Sequence, residues 1–167
     1  MLFPGLRYGY LVVPPPLVGA FTAARMISDR HPPVFFGAVL SEFMQRGYFV
    51  SHIRRMRNEY RRARDVLVAQ LSAKIGHIVD VMTPNQGMHL IIYLPDGWSD
   101  EQVSEEARRE GIVVRPISRL YRCHQPRPGL MLGFAGFDQH RLRSAAANLS
   151  RVIERVSAQR TPRRANA

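Results

Sequence analysis

A single lysine, Lys74, stands against 23 arginines in this 167-residue chain. The two cations do different chemistry. A lysine amine loses its proton and attacks a carbonyl, whereas a guanidinium stays protonated and holds anions through a planar fork of donors. Covalent chemistry with a carbonyl therefore has one side chain to draw on, and anion binding has many. Lys74 lies in Leu71-Ser72-Ala73-Lys74-Ile75-Gly76, where a cation in the last turn followed by glycine reads as a helix end. That context gives it a structural role. Arg7 sits in residues 1–14, which read as a loop delivering an arginine onto a buried strand. Its fork suits either a phosphate, gripped bidentately, or a carboxylate at the strand entrance.

Other reactive side chains are scattered. Tyr121, Cys123 and His124 share one loop, but no second pair lies at zinc spacing and no arranged base accompanies the cysteine. The histidines, His31, His52, His77, His89, His124 and His140, read as structural or surface residues, and no metal site is expected. One cysteine excludes an intrachain disulfide and points to a reducing compartment. No apolar run is long enough to span a bilayer. The N-terminus lacks a basic start, and Pro14-Pro15-Pro16 interrupts its apolar stretch, so no signal peptide is expected and the cytoplasm is the default. The formal charge of +11 raises a nucleic-acid reading. Arg160, Arg163 and Arg164 lie in or beside residues 161–167, a basic tail expected to be disordered. Arg54, Arg55, Arg57, Arg61, Arg62 and Arg64 lie mostly on one face of a long helix, which reads as solvated, with Glu59 and Asp65 giving local pairing. Contact with phosphates there would be nonspecific.

The elements that must position these residues follow from hydropathy period. Residues 6–13 form a continuous apolar run bounded by glycine and proline, as in a strand buried on both faces. Helices are predicted over 17–29 and 34–45, separated by the breaker His31-Pro32-Pro33. A long helix follows over 49–74, with Ile53, Met56, Tyr60, Ala63, Leu67 and Leu71 forming one apolar stripe. Strands are predicted at 78–82 and 88–94 around a turn at 83–87. A helix over 99–110 opens with the capping pair Ser99 and Gln102. Further strands lie at 112–117 and 130–134, and a last helix runs from Asp138 to about residue 158. The order β-β-α-β-β-α after the long helix predicts a small, mostly antiparallel sheet with helices on one face.

The run Leu2 to Pro14, the His31-Pro32-Pro33 break, Val114-Arg115-Pro116 and Leu130-Met131-Leu132-Gly133-Phe134-Ala135-Gly136 resemble the C-terminal part of fold-type-I pyridoxal-phosphate (PLP) aminotransferases. The nearest likeness is to the aminotransferase-like domain of MocR/GabR-type transcriptional regulators. The resemblance implies an α/β chain in three parts. Residues 1–47 are a remnant of the large PLP-binding domain, 48–160 the long helix and small domain, and 161–167 the tail. It implies that Arg7 binds the PLP phosphate in the intact parent. The Schiff-base lysine of the family pattern would precede Met1, so this chain is expected to be inactive alone. The family's α-carboxylate arginine corresponds to Met131, which sets ordinary transamination in question even for an intact parent. Arg127 is the candidate substrate-carboxylate ligand, with Arg115 and Arg122 as further candidates and a solvated loop arginine as the competing reading of Arg127. Self-association is expected, since family members are homodimers, as is an amino-acid or amine effector in the parent. The alternative function is a small basic binding module acting on nucleic acid or a partner protein.

Overall fold

The computed structural model describes residues 9–28, 30–31, 34–122 and 127–160. The chain divides into two compact units, residues 1–57 and 58–167.

In the first unit, a 3-10 turn at Pro15–Leu17 leads into α1, Val18–Ser28. Arg30 then takes a left-handed backbone conformation with φ 62°, and its N–H returns to the Arg25 carbonyl at 3.2 Å. That bond reaches back over the end of α1 to one of its last carbonyls. The second helix, α2, is Val34–Gln45, and Gly47, at φ 76°, ends it. No residue of α1 or α2 is buried. The strand expected over 6–13 is not found in its described part. Residues 9–14 are irregular, and Tyr10 and Val12 are 89% and 88% exposed. A strand hydrophobic on both faces needs neighbouring strands to complete its ladder, and none lies beside it among the described residues.

The third helix, α3, is Tyr48–Ile75, 28 residues and about 42 Å long. Ala63, Leu67 and Leu71 of the predicted apolar stripe are buried, together with Ile75 beyond it, whereas Ile53, Met56 and Tyr60 at the start of the stripe are only partly buried. Past it the second unit builds a four-stranded sheet from β1 (Asp80–Met82), β2 (His89–Tyr93), β3 (Arg115–Pro116) and β4 (Gly129–Gly133), in the order β1-β2-β4-β3. Every pair is antiparallel. Thus β2 and β3 run parallel, joined through α4 (Asp100–Arg109), with β4 inserted between them, a split β-α-β arrangement. The last helix, α5, is Gln139–Arg160.

The strands alternate as a sheet covered on one side must. Leu90 and Ile92 of β2 and Leu130 and Leu132 of β4 are buried. They join Val103 and Ala107 of α4, Leu142, Ala146, Leu149 and Ile153 of α5, and the buried residues of α3 in one core. The strand expected over 112–117 shrinks to two residues because α4 claims the backbone before it. The Ile112 N–H donates to the Ala107 carbonyl at 2.9 Å, and the buried Ser104 hydroxyl donates to the Val114 carbonyl at 2.9 Å.

One buried carboxylate ties these pieces together. Asp100 is 2% exposed and accepts three bonds: from the Ser118 N–H at 2.9 Å, the Ser118 hydroxyl at 2.6 Å and the Gly129 N–H at 3.1 Å. Gly129 must be glycine, since a β-carbon there would lie 2.8 Å from the Ile92 carbonyl oxygen. The buried Ser150 hydroxyl, by contrast, has no partner among the described residues. Removing a carboxylate that satisfies three donors strands them away from water, whereas removing an orphan hydroxyl relieves a cost. In urea melts, Asp100→Ala is expected to lose about 3 kcal/mol, and Ser150→Ala to change stability by less than about 1 kcal/mol, in the favourable direction.

Candidate functional site

Cross-strand partners share a face of the sheet. The side without helices therefore carries the row Met82, Ile91, Met131, Arg115 and the row Asp80, Tyr93, Gly129. His89 lies opposite Gly133 on the same side. Met131 is half-buried between Ile91 and Arg115, and Arg115 is exposed with no carboxylate partner among the described residues. The register thus places an arginine beside the methionine, one strand away. Sequence spacing alone does not show this, because 15 residues separate the two positions and only strand pairing joins them.

Arg127 reaches the same face. Its guanidinium lies 3.8 Å from the centre of the Tyr93 ring and 3.1 Å from the Asp80 carboxylate. Both ion-pair partners are about half exposed, so the pair is solvent-screened and worth little, while the ring contact adds cation–π attraction. A substrate carboxylate at Arg127 would have to displace Asp80. Arg122 and Tyr121 are exposed. Arg7, Cys123, His124 and the tail 161–167 lie outside the described residues.

The helix arginines divide. Arg62 pairs with Glu59 at 3.3 Å and Arg64 with Asp65 at 2.7 Å, the local pairing expected for a solvated face. Arg64 departs from that face. Its Nη1 also donates to the Pro84 carbonyl at 2.9 Å and its side chain is only 20% exposed, so it braces the turn between β1 and β2. Arg119, in the turn after β3, is held above the ordinary arginine range, first by its hydrogen bond to Glu101 in the first turn of α4 and then by that carboxylate's charge. No group of three metal-binding side chains occurs among the described residues.

Lys74 is exposed in the last turn of α3, as its sequence context predicts. A lysine poised for imine formation is buried or beside another cation, which lowers its proton affinity. Lys74 is not buried, and it lines none of the three described cavities. The described residues by themselves do not fit PLP.

A small antiparallel sheet covered on one face by helices, with a long helix entering it, defines part of an aminotransferase-type fold. The chain belongs to the class I and II aminotransferase family, whose model matches residues 1–149. Among its relatives, the probable rhizopine catabolism regulatory protein MocR of Rhizobium meliloti is 32% identical over 148 residues, which cover 89% of this chain and 30% of that protein. The transcriptional regulator TauR of Rhodobacter capsulatus is 32% identical over 115 residues, 69% of this chain and 24% of that protein. Among solved structures, a kynurenine aminotransferase from Pyrococcus horikoshii, in complex with PMP, superposes with a TM-score of 0.84 at 25% identity, over 92% of this chain and 38% of that one. The α-aminoadipate aminotransferase LysN from Thermus thermophilus shares the fold, with a TM-score of 0.83 at 24% identity over 93% of this chain and 40% of that one. The chain therefore spans well under half the length of the proteins it matches.

The Arg127–Asp80 pair can be measured directly. A double-mutant cycle with Arg127→Gln and Asp80→Asn is expected to give a coupling of about 0.5 kcal/mol. Arg127→Gln alone is expected to cost more than Asp80→Asn, because it also removes the contact with Tyr93.

Proposed function

We propose that this chain supplies the small-domain part of a PLP-dependent protein of fold type I, and that it has no transaminase activity by itself. The observation that carries the reading is the 32% identity to MocR across 89% of the chain. That relative favours a whole protein in which an aminotransferase-like domain senses an amino acid or amine for transcription. A transaminase is the other member of the same reading. In either, the small domain contributes packed framework and an open sheet face, and residues 1–47 belong with the large domain. PLP supplies the electrophilic carbonyl in proteins of this class, and Arg7 is proposed to hold its phosphate through a guanidinium fork. Met131 beside Arg115 offers poor carboxylate capture at the position itself and a cation one strand away. Arg127 is the weaker carboxylate ligand, because Asp80 already occupies it.

Lys74 is the sole lysine, so an imine formed by this chain's own side chains would have to use it. The purified chain is to be mixed with PLP, trapped with borohydride and mapped by mass spectrometry. No stoichiometric adduct at Lys74 and no amino-acid-dependent change in the visible spectrum are expected. Slow partial labelling of an exposed amine or the N-terminus is compatible with the reading. A stoichiometric Lys74 adduct that responds to amino acids overturns it.

The helices α1 and α2 expose Phe21, Ile27, Val34 and Phe35, and their only acidic residue is Glu42. Unburied apolar surface of this kind drives association. Dimerisation is common in the family this chain resembles, and α1 and α2 are proposed to contribute to it. Sedimentation is expected to show oligomers of the full chain at micromolar concentrations, and serine at Ile27 and Phe35 together to shift them toward monomer. A clean monomer before substitution would contradict the proposal. No helix of the described residues is long and apolar enough to cross a membrane.

A further inference from the structure

The small domain holds a cavity of about 330 Å3 that the reading above does not use. Its walls come from two helices, the sheet and the segment after α4: Leu67 of α3, Leu132 of β4, Leu142 and Leu149 of α5, and Ile112, with Phe137 and Arg141 also lining it. The four leucines are buried and give the pocket an apolar floor, while Gly111, Val113, Phe137 and Arg141 at its open rim are exposed. Water finds few hydrogen-bonding partners in such a space, and leaving it empty forfeits dispersion contacts.

The one charged group in the lining is Arg141. Its backbone N–H is taken by the Asp138 carboxylate at 2.8 Å. Its guanidinium lies 5.9 Å from the centre of the exposed Phe137 ring and forms no ion pair with a described carboxylate. An apolar pocket with a hydrated cation at its rim, and no carboxylate ion-paired to it among the described residues, favours an anionic occupant. A neutral hydrocarbon fills the pocket but gains nothing from the cation, which stays hydrated. An amine is repelled. A zwitterionic amino acid sets its ammonium against leucine side chains, a desolvation cost with no compensating partner.

We propose that this cavity binds a small apolar carboxylate, with the hydrocarbon among the leucines and the carboxylate on Arg141. The site lies within residues 67–149 and stands independently of PLP chemistry.

Octanoate is the probe, with octan-1-ol as its uncharged counterpart, and the full chain is titrated by calorimetry and methyl NMR. Octanoate is expected to bind with a Kd of about 1 mM or tighter, given its handful of non-hydrogen atoms. Methyl shifts should fall on Leu132, Leu142 and Leu149. Arg141→Gln should weaken octanoate about fivefold, the scale of an exposed ion pair, and leave octan-1-ol unchanged. Ala145→Leu, which fills the cavity, should abolish binding of both. Equal affinity for octanoate and octan-1-ol, no effect of Arg141→Gln, or shifts confined to α1 and α2 would overturn the proposal. So would Ala145→Leu dispersing oligomers, since the cavity would then be a protein docking site. If Ala145→Leu does not fold, the exposed Arg141→Gln substitution and the octan-1-ol comparison decide alone.

Discussion

Asp100 holds the small domain in register. Its carboxylate meets the turn that follows β3 and the first residue of β4 at once. Those segments lie 18 and 29 residues away in sequence, so a single side chain closes two long loops. Its place in the first turn of α4 also sets a negative charge at the positive end of the helix. The consequence is geometric. β4 is the strand on which β2 and β3 both pair, so fixing its start fixes the ladder on either side. The ladder extends at both ends of β2, with the Leu94 N–H on the Pro128 carbonyl at 3.0 Å and the Phe134 N–H on the Met88 carbonyl at 3.1 Å.

Part of the charge outside this core is paired, some of it between elements far apart in sequence. Arg155 bridges α5 to α4 through Glu110 at 3.1 Å and Glu106 at 3.7 Å. Arg160 closes the end of α5 over Trp98, with its Nη1 2.8 Å from the Gly97 carbonyl. These are exposed contacts of small individual worth. They account for part of the arginine excess without assigning it a ligand, and they leave the family likeness rather than net charge as the guide to function.

Local signals were legible in the sequence; long-range ones were not. The capping pair marks Ser99 as the cap of α4, and its side chain accepts from the Gln102 N–H at 3.2 Å. Asp138, at the start of the last helix, likewise accepts from the Arg141 N–H. The bounds of α2 and the buried stripe of α3 follow from period alone. Asp100 carries no distinguishing local signal, because an aspartate after a capping serine looks like an ordinary first-turn acid and its partners are set by the fold. Arg64 looks like the rest of its helix face for the same reason: Pro84, which it grips, is 20 residues away. The run at 6–13 misled because apolar continuity reports what a segment would bury, and its described part has no neighbouring strand to bury it. For the site, the family resemblance singles out Met131 and offers Arg115 among the carboxylate candidates, but only strand pairing shows that the two stand side by side.

The two edges of the sheet have a further consequence. β1 is three residues long and begins with Asp80; β3 is two, Arg115 and Pro116. A foreign strand adding to a sheet needs a run of free N–H and C=O groups, and short, charged or proline-bearing edges deny it one. Growth of this sheet into a cross-β fibril therefore has no template at either side. The apolar side chains that the chain does expose are carried largely on helices, where contact is made without backbone hydrogen bonds and remains reversible.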